Sequence, residues 1–220
     1  MSDLKQTRIL IVDDHPLVRE SLTTLIQQHP EFVVCGEAAT QDEAMAAIEV
    51  TSPDLAIVDI SLSRGSGLDL VKNVKTRYPD LAIIVLSMHD ESIYAERVVR
   101  AGARGYVMKK ESTRKVIDAI RHVMNGEFYL SPDIMNSLAK KFISGRPPTS
   151  ALSVDDLSDR ELEVFRLLGQ GYETREIASS LDVSIKTIQT YCARIKEKLR
   201  IRTGTELLRE AIQWTESGAR

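Results

Sequence analysis

Five residues spread along the sequence have the types and spacing to do chemistry together: the acid pair Asp13-Asp14, then Asp59, Ser87 and Lys109. Each stands at or just beyond the end of a short apolar run: Ile9-Leu10-Ile11-Val12, Leu55-Ala56-Ile57-Val58, Leu81 to Leu86, and Tyr106-Val107-Met108. Three carboxylates gathered in one pocket repel one another and make ionisation costly. A divalent cation removes that penalty, and magnesium accepts one or two carboxylates while keeping waters and a phosphoryl oxygen. A lysine opposite holds another phosphoryl oxygen as a point charge, and a serine hydroxyl donates to a third. Phosphoryl transfer needs mostly such positioning and electrostatics. Asp59, the single acid on its run, is then the nucleophile, and an aspartyl-phosphate is an established form of covalent catalysis. One strand-end acid alone often only caps a turn; the five together make the case.

The elements that must gather these residues follow from the pattern. The four runs, with Phe32-Val33-Val34-Cys35, read as five strands, short and apolar on both faces as in a parallel sheet. Helical spacing follows each of them: Leu17 to Ile26, Gln41 to Val50, Leu68 to Arg77, Ile93 to Arg100 and Thr113 to Met124. This predicts an α/β fold with a doubly wound five-stranded parallel sheet. Right-handed crossovers bring every carboxyl end to one edge, where ligands of open sheets bind. The turn Ser63-Arg64-Gly65-Ser66-Gly67 follows Asp59 there.

Beyond Ser131 the character changes. Pro132 to Phe142 predicts a short helix, and Ser144-Gly145-Arg146-Pro147-Pro148-Thr149-Ser150 has a linker's composition. After it the pattern is helical only, giving an all-α domain of four helices. Ser158 with Glu161 forms a capping box, Thr174 is placed to cap a short second helix, and Ser184 a third. The domain boundaries expected are 1–127, a linker with the short helix over 128–152, and 153–220.

On the third helix Ile188, Tyr191, Cys192, Ile195 and Leu199 form one core-facing stripe. Lys186, Gln189, Thr190, Ala193 and Arg194 fall on the remaining faces, as major-groove reading requires. From Lys186 to Arg202 the basic residues oppose only Glu197, although the whole chain carries a formal net charge of −3. A local patch of this kind contacts phosphates. Cys35 and Cys192 are the only cysteines and have no ligand spacing, which argues against a zinc site or disulfides. No apolar run reaches membrane-spanning length, so no membrane contact and a cytoplasmic location are expected.

Val12-Asp13-Asp14-His15-Pro16, Val58-Asp59-Ile60, Leu86-Ser87 and Gly102-Ala103-Arg104-Gly105-Tyr106-Val107-Met108-Lys109 resemble the receiver domain of two-component response regulators, a flavodoxin-like fold. The resemblance implies that Asp59 accepts phosphate from a sensor histidine kinase. It also implies that Asp13, Asp14, Asp59 and the backbone carbonyl of Ser61 hold Mg2+. Ser87 and Tyr106 become the switch pair, with Ser87 drawn to the phosphate and Tyr106 turning inward behind it. The sequence departs from that pattern at Ser63, where relatives have proline, and at Lys110. Leu157-Ser158-Asp159-Arg160-Glu161-Leu162-Glu163-Val164, with Ala178, Leu181, Ser184, Thr187, Ile188, Ile195 and Leu199, resembles the LuxR-type helix-turn-helix domain. That likeness implies promoter DNA as partner, contacted by Thr174, Arg175, Lys186, Thr187, Gln189, Thr190, Ala193, Arg194 and Lys198. Gln189 and Tyr191 stand where those relatives commonly have lysine and histidine.

Together the halves resemble the NarL/FixJ class of response regulators. The function expected is a phosphorylation-controlled transcription regulator, not an enzyme, that forms a homodimer when phosphorylated. On the final helix, from Thr205 to Trp214, Leu207 and Ala211 are expected at the dimer interface, with Leu208 and Ile212 closing the core. An enzyme with an aspartate nucleophile acting on small molecules is the chief rival. It needs a cap insertion that the short loops leave no room for. A receiver working without phosphate is a second rival, and the complete set of Asp13, Asp14, Asp59, Ser87 and Lys109 speaks against it.

Overall fold

The computed structural model describes residues 6–62, 66–111, 113–143 and 154–217. Ser63, Arg64, Gly65 and the 144–150 linker composition lie outside the described residues. The chain divides into two compact units, Met1–Ile143 and Ser144–Arg220.

In the first unit β1 (Thr7–Val12), α1 (Pro16–Gln27), β2 (Phe32–Ala38), α2 (Gln41–Thr51), β3 (Leu55–Asp59), α3 (Gly67–Arg77), β4 (Ala82–Ser87), α4 (Glu91–Arg100), β5 (Gly105–Met108) and α5 (Thr113–Met124) alternate. The sheet order is β2-β1-β3-β4-β5, with every pairing parallel. The apolar runs form these strands because both faces are covered. Ile9, Ile11, Leu55, Ile57, Ile84, Leu86 and Val107 pack with Leu22 and Ile26 of α1 and Ile117, Ile120 and Val123 of α5. Their alternate neighbours Leu10, Ala56, Val58, Ile83 and Val85 are equally buried and face the other helical layer. Each large side chain so buried contributes roughly 1.5–3 kcal/mol.

Register positions the site. Val12 pairs with Val58, Asp59 with Leu86, and Ser87 with Met108. The residues that close or follow β1, β3, β4 and β5 therefore meet at one edge. Pro16 occupies the first turn of α1 after His15, where its missing N–H is no loss.

After α5 the chain returns along β5. Tyr129 bridges to Gly105; Tyr106 N–H donates to the Tyr129 carbonyl at 2.9 Å and Tyr129 N–H to that of Arg104 at 2.8 Å. Helix α6 (Pro132–Ile143) packs on α4, and Ser131 N–H donates to Glu91 Oε1 at 2.8 Å. The helix read from sequence as part of the linker thus sits within the first unit.

The described residues of the second unit open with a 3-10 turn, Val154–Asp156, followed by α7 (Asp159–Gly169), α8 (Thr174–Ser180), α9 (Ile185–Lys198) and α10 (Gly204–Ser217). The Ser158–Glu161 capping box opens α7. Thr174 does not cap α8: Glu173 does, in a reciprocal pair with Glu176, because a glutamate at the third helical position reaches back to the N–H before the helix. Leu157, Leu162, Phe165, Ile177, Ile188, Ile195, Leu207 and Ala211 form the buried core.

The expectation for α10 is reversed. Leu207 and Ala211 are 4% and 0% exposed, whereas Leu208 and Ile212 are 41% and 38% exposed. The cause lies on α7, where a side chain at Gly169 would collide with the Ala211 carbonyl. That backbone approach turns the Leu207–Ala211 side of α10 inward and leaves the next residue along each turn outside.

Candidate functional site

The carboxylates converge as the sheet register requires. Asp13 and Asp59 are each 2% exposed, Asp14 is half-buried and Ser87 is buried. Carboxylate oxygens of Asp13, Asp14 and Asp59 and a ring nitrogen of His15 lie within 4.8 Å of one another. Lys109 comes across from the end of β5 and divides its ammonium between Asp13 Oδ2, at 2.6 Å, and Asp59 Oδ2, at 2.7 Å. His15 closes the acid pair from the outside, its N–H on Asp13 Oδ1 at 2.9 Å and its Nδ1 2.8 Å from Asp14 Oδ1.

Burial pushes the Asp59 carboxyl up to about 6, with the Asp13 charge adding to it, against the opposing pull of Lys109 and of Ser61 N–H. For Lys109 burial works against the charge, but Asp59 and Asp13 outweigh it and raise the ammonium above its usual range. The two shifts agree physically. Lys109 has two carboxylates to itself, while Asp59 shares one ammonium with Asp13. A pocket with three carboxylates and one lysine has anionic oxygen to spare, which is the donor set a hard divalent cation takes.

The rim of the pocket is built from main chain and short polar side chains. Ser61 N–H donates to Asp59 Oδ1 at 3.1 Å. Gly67 opens α3 against the strand end, where any side chain would collide with the Asp59 carbonyl; this turn therefore needs glycine. Ser87 Oγ accepts from His89 N–H at 3.0 Å. Tyr106 is 3% exposed; its hydroxyl donates to the His89 carbonyl at 2.8 Å, and burial raises the phenol above its ordinary range. The ring of Tyr106 is thus turned in. His15 and His89 are the residues that sequence reasoning left without a role. The only signal for either was its place next to a strand end.

In the second unit α8 packs against α9 across a turn whose Asp182 has φ of +51°, a left-handed conformation that aspartate tolerates better than most. Ser184 caps α9, its Oγ accepting from Thr187 N–H at 3.0 Å. Ile188 and Ile195 point into the core. Arg175, Lys186, Gln189, Thr190, Ala193 and Arg194 are exposed, while Thr174 and Thr187 are half-buried. Lys198 differs from the others: its ammonium lies 2.7 Å from Glu161 Oε2 and donates to the Asp156 carbonyl at 3.2 Å. Glu161 is 3% exposed, so this pair ties α9 to α7. Among the described residues no helix is long and apolar enough to cross a membrane.

Comparison with known proteins agrees with both halves. Residues 9–121 match the family model of the response regulator receiver domain, and residues 155–211 that of bacterial regulatory proteins of the luxR family. The chain is 33% identical to the oxygen regulatory protein NreC of Staphylococcus carnosus, over 94% of this chain and 97% of that one. It is 29% identical to the transcriptional regulatory protein DegU of Brevibacillus brevis, over 94% and 93%. Among solved structures, the RcsB response regulator of Salmonella typhimurium aligns with a TM-score of 0.63 and 27% identity, over 95% of this chain and 98% of that one. RcsB of Salmonella enterica serovar Typhimurium, bound to promoter DNA in the presence of the phosphomimetic BeF3−, aligns with a TM-score of 0.60 and 27% identity, over 94% and 98%.

Proposed function

The chain belongs to the response regulators that join a receiver domain to a LuxR-family DNA-binding domain, and from that premise we propose that phosphorylation of Asp59 controls its binding to promoter DNA. The observation that carries the proposal is the pocket itself, with Asp59 Oδ2 2.7 Å from Lys109 inside a carboxylate cluster spanning under 5 Å. The first unit, α6 included, takes the phosphoryl group, and the second reads DNA.

The donor is a sensor histidine kinase. An oxygen of Asp59 attacks the phosphorus of the donor's phosphohistidine, the P–N bond breaks, and the imidazole leaves. Asp13, Asp14, Asp59 and the Ser61 carbonyl would hold Mg2+, which would offset charge on the transferred group. Lys109 exchanges its carboxylate contact for a phosphoryl oxygen, and Ser87 turns its hydroxyl proton to another. Tyr106 fills the space behind Ser87, which its present inward position supports.

Arg175, Lys186 and Arg194 approach phosphates; Gln189, Thr190 and Ala193 approach base edges, with Thr174 and Thr187 beside them. Lys198, already held by Glu161, serves DNA mainly by fixing α9. A small helix-turn-helix makes few base contacts, and paired half-sites call for a dimer. The exposed Leu208 and Ile212 are the residues of α10 that fit that interface. The protein works in the cytoplasm.

The test is phosphorylation with acetyl phosphate, followed by intact mass and genome-wide mapping of bound DNA with and without donor. Wild type gains one phosphoryl mass only with Mg2+ and its bound sites change; Asp59→Asn gains none. Undiminished labelling of Asp59→Asn, or full labelling in excess chelator, refutes the assignment.

A further inference from the structure

The main chain pins His15 at the rim of the acid pocket. Its N–H donates to Asp13 Oδ1 at 2.9 Å, and its carbonyl accepts from the N–H groups of Val18 and Arg19 at 3.1 and 3.3 Å, in the first turn of α1. Pro16 follows it and holds its backbone extended, with φ of −88° and ψ of 111°. The guanidinium of Arg19 donates to the Asp13 carbonyl at 2.6 Å, so the end of β1 and the start of α1 are tied together. The His15 side chain is 66% exposed and has water to turn to. Its ring instead presents Nδ1 to the acids, 2.8 Å from Asp14 Oδ1 and 3.3 Å from Asp13 Oδ1. Lys109 is drawn to the other oxygen of Asp13, Oδ2, and to Asp59 Oδ2. The two basic side chains thus divide Asp13 between them.

We propose that His15 is a nitrogen donor to the divalent cation of this pocket and biases the site from magnesium towards borderline transition ions such as Co2+, Ni2+ and Zn2+. This rests on the reading of Asp13, Asp14 and Asp59 as cation ligands. Donors roughly 2.1 Å from one ion stand about 3.0 Å apart along an octahedral edge and about 4.2 Å apart across it. The two Nδ1 distances match such edges, and the ring nitrogen lies with oxygens of Asp13, Asp14 and Asp59 inside a span of 4.8 Å. Magnesium takes oxygen donors and keeps waters in the remaining positions. Imidazole suits the later divalent ions, which also bind a given donor set more tightly. With Nδ1 in place of one water, the ring keeps its proton on Nε2. A histidine that served the acids only as a cationic partner would be displaced by every divalent ion alike, and would give no preference among them.

Calorimetric titration of the full chain with Mg2+ and with Co2+ measures the preference, and proton NMR of the Co2+-loaded protein shows its cause. Bound Co2+ shifts the Nε2–H resonance of a coordinated imidazole far outside the normal window, and the signal vanishes in D2O. Wild type shows this signal; His15→Ala and His15→Asn abolish it, while His29→Ala, His89→Ala and His122→Ala keep it. In both His15 variants the ratio of Co2+ to Mg2+ affinity falls at least about tenfold, the lower end of what loss of a ligand's supporting contact costs. Asparagine is itself a good cap for α1, so a weakened helix start does not account for the fall. A signal retained without His15 overturns the proposal, as does a ratio equal to that of wild type, or no signal from a wild type that binds Mg2+. Mg2+ affinity that Asp14→Asn leaves unaltered overturns the reading of the carboxylates instead.

Discussion

Replacing Asp59 by asparagine is expected to stabilise the receiver when no divalent cation is present. The carboxyl is raised from an ordinary 3.8 to about 6, so the folded state keeps a proton that the unfolded chain releases. Stability from this group is therefore complete below about pH 4 and is lost as pH rises through 6. At pH 7.5 the ionised side chain costs the fold about 3 kcal/mol, with the benefit of Lys109 already counted. Asparagine stands in for the neutral acid and escapes that cost. For a unit of this size the difference amounts to roughly 5–10 °C in melting temperature. Calorimetry of wild type and Asp59→Asn in chelator at pH 7.5 measures it, and a series down to pH 4.5 should show the gap closing. Mg2+ should then raise the wild-type transition and move the variant less, since it binds only the folded pocket. A variant equal to or weaker than wild type at pH 7.5 would mean that the Lys109 ion pair outweighs burial, and the charge reasoning fails.

Three further outcomes follow from the geometry. Lys109→Ala abolishes most of the phosphate-induced change in DNA binding, while Lys110→Ala, on an exposed residue, leaves it nearly intact; equal losses in titrations with a phosphoryl donor contradict this. Lys198→Ala leaves the buried Glu161 carboxylate with only its Ser158 N–H and lowers stability by about 2 kcal/mol, read by urea unfolding, whereas an unchanged midpoint shows the pair to be dispensable. Leu208→Asp with Ile212→Asp weakens dimers in sedimentation on DNA without loss of fold, and Leu207→Asp unfolds the domain; dimers unaffected by the outer pair remove α10 from the interface.

The sheet and its acidic edge were legible because parallel strands carry their own register. Once Leu55 to Val58 is read as buried on both faces, Asp59 has one place to go, and the same holds for Asp13 after Val12. Helix α10 was not legible in the same way. Leu207-Leu208 and Ala211-Ile212 put apolar residues on two adjoining faces, and the choice between them was made by Gly169, some forty residues earlier. The same limit applies to His89, whose bond to Ser61 spans two loops and leaves no periodic trace. At α8 the threonine preference for a cap competed with the Glu173–Glu176 pair, and a reciprocal pair satisfies two N–H groups where a threonine satisfies one.

The pocket is arranged so that its instability and its chemistry have one origin. Asp13, Asp14 and Asp59 against Lys109 leave a net of about two negative charges in a site where Asp13 and Asp59 are buried. A divalent cation brings that net to zero. Phosphorylation of Asp59 then adds about one negative charge to the site, since a carboxylate gives way to a phosphoryl group of charge near −2. Without the cation the same step would concentrate about three negative charges where burial already lifts the Asp59 carboxyl. Asp13, Asp14 and Asp59 would hold such a cation, and its charge would offset that of the phosphoryl group. The group that arrives still carries more negative charge than the site has offset. Lys109 and Ser87 are the donors at the edge with which to meet it, and Ser87 Oγ already receives His89 N–H. Any turn of Ser87 towards the phosphate is consequently felt by the loop leading into α4. Glu91 of that helix accepts from Ser131 N–H, at the start of α6, so a movement of α4 acts directly on the last helix of the first unit.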